Sequence, residues 1–197
     1  MSSTASSGQM RVVAESERER VLPNGVLGML IFLLTEAMLF AGLISAFLII
    51  RSQAIVWPPP DQPRLPVEET ALNTAALLAS GIALYFARRA FRRDPARALR
   101  PLGLAIALGL FFVGFQGFEW ASLLAQGLTM QTSSLGSFFY LIVGIHALHA
   151  VAAIGLLVHV FLRLRKGRLS SELLATSEVL WYFVVGVWPV LYLVVYL

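Results

Sequence analysis

The sequence predicts an all-α, polytopic membrane protein: a bundle of five transmembrane helices with the N-terminus cytoplasmic and the C-terminus outside. Three observations predict it. Of 197 residues, 58% are hydrophobic and only 13% are charged, whereas roughly a quarter of a typical soluble domain is charged. Five separate apolar stretches are each long enough to cross a bilayer, which takes about 20 residues for about 30 Å of hydrocarbon. Finally, 13 of the 15 Lys and Arg fall on one side of the folding pattern those stretches imply.

The expected spans are residues 25–50, 70–91, 102–125, 136–162 and 173–196. Each must be a helix, because hydrocarbon cannot satisfy open backbone groups. Local breakers separate them. Pro23-Asn24-Gly25 precedes the first span, and Pro95 and Pro101 part the second from the third. Gly127 and Gly136 bracket the next connection, and Gly167 lies in the last. Residues 1–24 are polar, with Glu15, Glu17 and Glu19 among the arginines. They contain no short apolar core of a signal peptide. The expected organisation is therefore a mobile cytoplasmic tail, 1–24, and one transmembrane domain, 25–197, whose first helix acts as its own insertion signal.

Charge fixes the expected orientation. Arg11, Arg18 and Arg20 lie in the tail, Arg88 to Arg100 in the second connection, and Arg163 to Arg168 in the fourth; only Arg51 and Arg64 fall opposite. Cytoplasmic loops carry the excess of Lys and Arg, which places the tail inside. Trp57, Trp120, Tyr192 and Tyr196 then fall near the outer ends of their helices, where aromatic rings favour the headgroup level. The same distribution argues against a nucleic-acid-binding reading of the net charge of +4, since the basic residues flank apolar spans. With no cysteine, disulfides and thiolate metal sites are excluded.

Helices in lipid associate through small residues and close packing. Ala75, Ala79, Ala83 and Ala87 recur every four residues on the second span, widened by Ala76 and Ser80, and form its expected contact face. Gly28, Thr35 and Gly42, at heptad spacing, form an expected seam on the first.

Ionisable groups inside spans are expensive and mark functional positions by default. Glu36 lies mid-way along the first span beside Phe32, Phe40, Leu43 and Phe47, a surround that penalises a bare charge. It reads as a proton-exchanging or lipid-contacting carboxyl, or as one that hydrogen-bonds across helices. Gln116 and Glu119 share a face of the third span, and His146 and His149 share a face of the fourth. They are expected to meet as one polar cluster that glues the helices together. Glu178 falls about two turns into the fifth span, and His159 near the inner interface. All three histidines lie on one helix, which does not suit axial haem ligation, and a catalytic copper needs several converging imidazoles. The expected metal and cofactor content of the chain is none, and no catalytic residue is expected.

These residues stand in stretches that together resemble subunit III of cytochrome c oxidase, in a shorter five-helix bacterial form. The stretches are GMLIFLLTEAMLFAGLISAF at 28–47, WPPP at 57–60, LNTAALLASG at 72–81, FQGFEW at 115–120, GSFFYLIVGIHALHA at 136–150 and WYFVVGVWPVLYLVVY at 181–196. The likeness covers roughly residues 28–196. The family usually reads Trp-His-Phe-Val-Asp in the last stretch, where this chain has Tyr182 and Val185 in place of the His and Asp.

The resemblance implies a non-catalytic core subunit of a proton-pumping respiratory oxidase in the bacterial plasma membrane. It implies direct packing against subunit I, which carries haems and copper, with subunit II in the same assembly. It implies bound phospholipid, with Glu36 beside the lipid cleft and Gln116, Glu119, His146 and His149 as the structural polar set. Arg88 and Arg89 are the matching headgroup candidates, since inner basic residues attract anionic lipid. Tyr182 and Val185 leave open an accessory protein of a nitric oxide reductase. An independent transporter using Glu36 and Glu119 is the third reading, disfavoured because no inverted repeat or broken helix is visible.

Overall fold

The computed structural model describes residues 23–57, 63–131 and 133–197. Among these residues the chain is helical, and five helices are long and apolar enough to span a membrane. They are α1 (Asn24–Gln53), α2 (Val67–Phe91), α3 (Leu99–Ala125), α4 (Ser134–Arg165) and α5 (Ser171–Leu191). A short 3-10 turn, Pro95–Ala98, leads into α3, and a π turn, Tyr192–Tyr196, follows α5. Residues 1–22 of the expected tail and residues 58–60 of the WPPP motif lie outside the described residues.

Local chemistry sets the ends. The Ser133 and Ser170 side chains accept the backbone N–H of Gly136 (3.0 Å) and Leu173 (3.2 Å), capping α4 and α5. At the far ends of α3 and α4, Gly127 and Gly167 adopt φ of 91° and 64°. Each closes a Schellman motif: Leu128 N–H donates to Leu123 O, and Arg168 N–H to Arg163 O, both at 3.0 Å. Pro101, expected as a separator, instead lies in the first turn of α3. A first-turn N–H has no intrahelical acceptor, so proline is tolerated there.

Successive helices run antiparallel. At one end of the bundle, Gly25 N–H donates to Glu172 (3.0 Å) and Arg88 to the Ser171 carbonyl (3.3 Å). At the other, Arg51 reaches the carbonyls of Val194 (3.1 Å) and Leu197 (3.0 Å). The first end gathers the basic connections α2–α3 and α4–α5. α2 lies along α3 and α5, α4 joins α3 to α5, and α1 rests chiefly on α5 and α4.

Two expected packing faces are corrected. On α1 the buried residues are Val26, Leu33, Phe40 and Phe47. That is a heptad ridge, which suits close antiparallel packing. Phe40 and Phe47 meet Phe183 and Phe138, at ring distances of 6.2 and 5.8 Å. The glycine seam lies on the other side: Thr35 is exposed, and a methyl group at Gly28 or Gly42 would meet nothing within 4 Å. On α2 the buried face is Thr70, Asn73, Thr74, Leu77, Ser80 and Leu84, joined by Ala83 and Ala87, while Ala75 and Ala79 are exposed. The face turned to neighbouring helices mixes apolar residues with polar ones that bond across to α3 and α5.

The largest buried side chains, Trp181 and Trp188, sit at the centre. Gly109 on α3 makes room for the first: a methyl group there would stand 2.7 Å from the Trp181 ring. Trp181 is fully enclosed and cannot yield. Gly109→Ala is therefore expected to destabilise the bundle by about 1–2 kcal/mol, overpacking outweighing the helix-propensity gain of alanine. Thermal melting in detergent measures it.

Candidate functional site

The inward polar residues form three separate sites. Of the expected cluster of Gln116, Glu119, His146 and His149, the first two fall in one site and His149 in another, while His146 belongs to none of the three.

The first site lies between α2, α3 and the π turn. Thr70 places its hydroxyl 3.0 and 3.2 Å from the two carboxyl oxygens of Glu119, and it also reaches the Pro66 carbonyl at 2.6 Å. Gln116 Nε2 donates to Glu119 (2.9 Å) and to the Tyr196 hydroxyl (3.0 Å). Glu119 is 5% exposed and Gln116 3%, so neither group exchanges its partners for water at the surface. Gln116 and Glu119 meet because residues three apart share a helix face. Tyr196 joins them because the π turn rotates it inward, where it is buried. Tyr192, one turn earlier, donates to the Val67 carbonyl at 3.0 Å.

The second site pairs α1 with α4. His149 Nε2 stands 3.1 Å from Glu36 Oε2. Its other nitrogen, Nδ1, lies 2.8 Å from the Ile145 carbonyl. A carbonyl only accepts, so Nδ1 carries a hydrogen. The Glu36–His149 contact must then hold one further proton in its bridge. It lies on the carboxyl of a neutral pair or on the imidazole of an ion pair, and the net charge is zero in both. Phe32 and Phe40 flank the His149 ring at 6.4 and 5.8 Å. The side chains are 17% and 13% exposed, so the pair lies at the edge of the bundle, not in its centre. A double-mutant cycle with Glu36→Gln and His149→Leu is expected to give a coupling of about 1 kcal/mol, typical of interhelical hydrogen bonds in membranes. Denaturation in mixed micelles checks it.

His146, one turn along α4, turns away from that pair. It stacks at 5.0 Å on Trp188 and meets Phe112 edge-on at 6.2 Å.

The third site is near the basic end. Glu178 lies 3.6 Å from Arg88, which also holds the Ser171 carbonyl. The Arg88 guanidinium is thus committed to α5, whereas Arg89 is exposed. His159 is exposed at the basic end of α4, where Arg163 Nε donates to it at 3.3 Å.

Sequence reasoning missed the partners that α2 supplies. Trp188 donates to Thr74 (2.8 Å), Trp181 to Ser80 (3.2 Å), and Asn73 to the Phe112 carbonyl (3.2 Å). The signal was present: Asn73 and Thr74 follow Thr70 by three and four residues, and Ser80 falls seven beyond Asn73 on the same helical face. Val185, in place of the family's Asp, is buried against Gly81, where a methyl group would meet it at 3.2 Å. Tyr182, in place of the His, is 40% exposed. No group of three or more His, Cys, Asp or Glu able to hold a metal occurs among the described residues.

Comparison with known proteins gives the family of the chain. The family model "Cytochrome c oxidase subunit III" matches residues 14–197. The chain is 30% identical over 177 residues to cytochrome c oxidase subunit 3 of Thermostichus vulcanus, covering 87% of this chain and 86% of that protein. It is 33% identical over 175 residues to cytochrome c oxidase subunit 3 of Synechocystis sp., covering 86% and 74%. It is 34% identical over 182 residues to the probable cytochrome c oxidase subunit 3 of Mycobacterium tuberculosis strain H37Rv, covering 88% of each. Five apolar helices and a family match over nearly the whole chain agree: the protein belongs to the cytochrome c oxidase subunit III family.

Proposed function

We propose that this chain is a non-catalytic core subunit of a bacterial proton-pumping cytochrome c oxidase, multi-pass in the plasma membrane with its N-terminus cytoplasmic. In this reading it packs against subunit I, with subunit II in the same assembly, binds phospholipid, and sustains proton uptake and stability of subunit I. The observation that carries it is how the acids and imidazoles inside the bundle are used. Glu36 is spent on His149 and Glu119 on Thr70 and Gln116, while His146 is packed among rings. Such groups join helices to one another. The haems and copper belong to partner chains.

Several features support the remaining parts. The exposed surface of α1 is apolar, with Ile31, Leu34, Met38 and Ile49 turned outward, and it suits lipid tails or another membrane helix equally. Arg89 at the basic end suits an anionic headgroup. The asymmetry of Lys and Arg supports the orientation. Mild-detergent purification of the tagged chain is expected to bring down haem-bearing partners and oxygen-reducing activity. A haem-free isolate with no partner overturns the proposal, as does a gene deletion that abolishes nitric oxide consumption and spares oxygen consumption.

A further inference from the structure

We propose that the pocket at the end of the bundle opposite the basic connections binds a phosphate group, carried by an anionic phospholipid of the adjacent leaflet. The pocket measures about 250 Å³. Arg51, at the end of α1, and Trp57 and Arg64, in the connection to α2, line it together with Leu65, Leu135 and Val195. Arg51 and Arg64 are the two Lys or Arg that the five spans leave at this end, against 13 at the other. They come from different segments, yet both line one pocket. No Asp or Glu lines it, and neither arginine has an acidic partner among the described residues.

Arg51 is held in place before any ligand arrives. It donates to the Val194 and Leu197 carbonyls at 3.1 and 3.0 Å, and its guanidinium carbon stands 5.8 Å from the centre of the Trp57 ring, within cation–π range. Trp57 in turn meets Phe47 edge-on at 5.6 Å. These contacts fix the guanidinium and use two of its N–H groups, so others remain for an anion. Arg64 is exposed and adds a second positive charge.

The chemistry of the lining selects the ligand. Two arginines without an acid favour an anion, and a guanidinium matches phosphate oxygens with paired donors. A free inorganic anion would lose hydration against Leu65, Leu135 and Val195 with nothing gained from them. A phospholipid presents a phosphate and, beside it, apolar chains that those walls accept. Trp57 lies at the end of α1, and aromatic rings favour the headgroup level, so arginines and phosphate meet at one depth. A zwitterionic headgroup brings its own cation, which two arginines repel; phosphatidylglycerol does not. The inference deepens the phospholipid-binding part of the function proposed above. Its failure would leave co-purification with haem-bearing chains untouched.

The test places the full chain in phosphatidylcholine nanodiscs with a trace of phosphatidylglycerol that carries a diazirine in its headgroup. After illumination, mass spectrometry is expected to find adducts between Arg51 and Val67, the stretch that supplies most of the lining. Excess unlabelled phosphatidylglycerol is expected to remove them, and excess inorganic phosphate to leave them. Arg64→Gln is expected to lower their yield about tenfold, the loss of one charge-assisted hydrogen bond, and to spare adducts elsewhere on the chain. Should that variant fail to fold, the competition on the unaltered chain decides. Equal labelling by a diazirine-bearing phosphatidylcholine would overturn the proposal, as would competition by inorganic phosphate, which marks a site for the free anion. So would adducts that persist undiminished in folded Arg64→Gln, or none in this stretch.

Discussion

Trp188→Ala is expected to cost about 3–5 kcal/mol, the range for truncating a fully buried aromatic side chain. Trp188 has no exposed surface. It meets Phe112 edge-on at 4.8 Å, His146 at 5.0 Å and Tyr196 at 6.2 Å, and it donates to Thr74 on α2. The one side chain therefore touches α2, α3, α4 and the π turn. Its removal opens a cavity bounded by four elements that cannot collapse together, because each is held elsewhere. Trp188→Phe keeps most of the ring contact and loses only the N–H bond, so it is expected to cost about 1 kcal/mol beyond the smaller volume loss. Denaturant titration of the detergent-solubilised protein separates the two variants. Equal destabilisation by Ala and Phe would show that the hydrogen bond, not the packing, dominates.

Glu119→Leu is expected to destabilise by about 2–3 kcal/mol, chiefly by stranding its partners. The hydroxyl of Thr70 retains the Pro66 carbonyl, but Gln116 Nε2 retains only Tyr196. A buried donor that loses its acceptor carries the full desolvation penalty. Glu119→Gln is a milder change: its amide oxygen still serves Thr70, while its amide nitrogen faces that of Gln116, donor against donor. Rotation of the Gln116 amide relieves the conflict and reverses the Tyr196 contact, the phenol then donating to the amide oxygen. The expected order of stability is wild type, then Glu119→Gln, then Glu119→Leu. Glu119→Leu combined with Gln116→Leu is expected to recover part of the loss, since two apolar groups leave fewer unpaired atoms than one. If the double variant is as unstable as the sum of the singles, Gln116 is not the stranded partner.

Much of this molecule is legible from composition and spacing, and the errors are as informative as the successes. The five spans follow from apolar length alone, because hydrocarbon thickness leaves little choice of element or extent. Some of their ends follow from breakers such as Gly127 and Gly167, whose chemistry acts over a few residues, whereas the Ser133 and Ser170 caps emerged from the structure. The faces are another matter. The alanine stripe of α2 and the glycine seam of α1 have the right period, yet Ala75, Ala79 and Thr35 are exposed. In a span where nearly every residue is apolar, periodicity picks out several candidate faces, and lipid solvates each of them as well as a neighbouring helix would. The heptad ridge from Val26 to Phe47 wins because aromatic side chains on α4 and α5 stand where it can reach them.

The polar residues divide in the same way. Sequence could place Glu36, Gln116, Glu119, His146 and His149 inside the membrane and require that each find company. It could not say which company. Residues three apart on a helix differ by about 60° in direction, since 3.6 residues make a turn; that is enough for His149 to turn to α1 while His146 turns to Trp188. The amino-acid sequence by itself determined a five-helix membrane bundle, its breakers and the ionisable groups within its spans, because those depend on the solvent and on near neighbours. Only the tertiary structure decided the partners, because which helix stands opposite each polar group is set by the packing of all five.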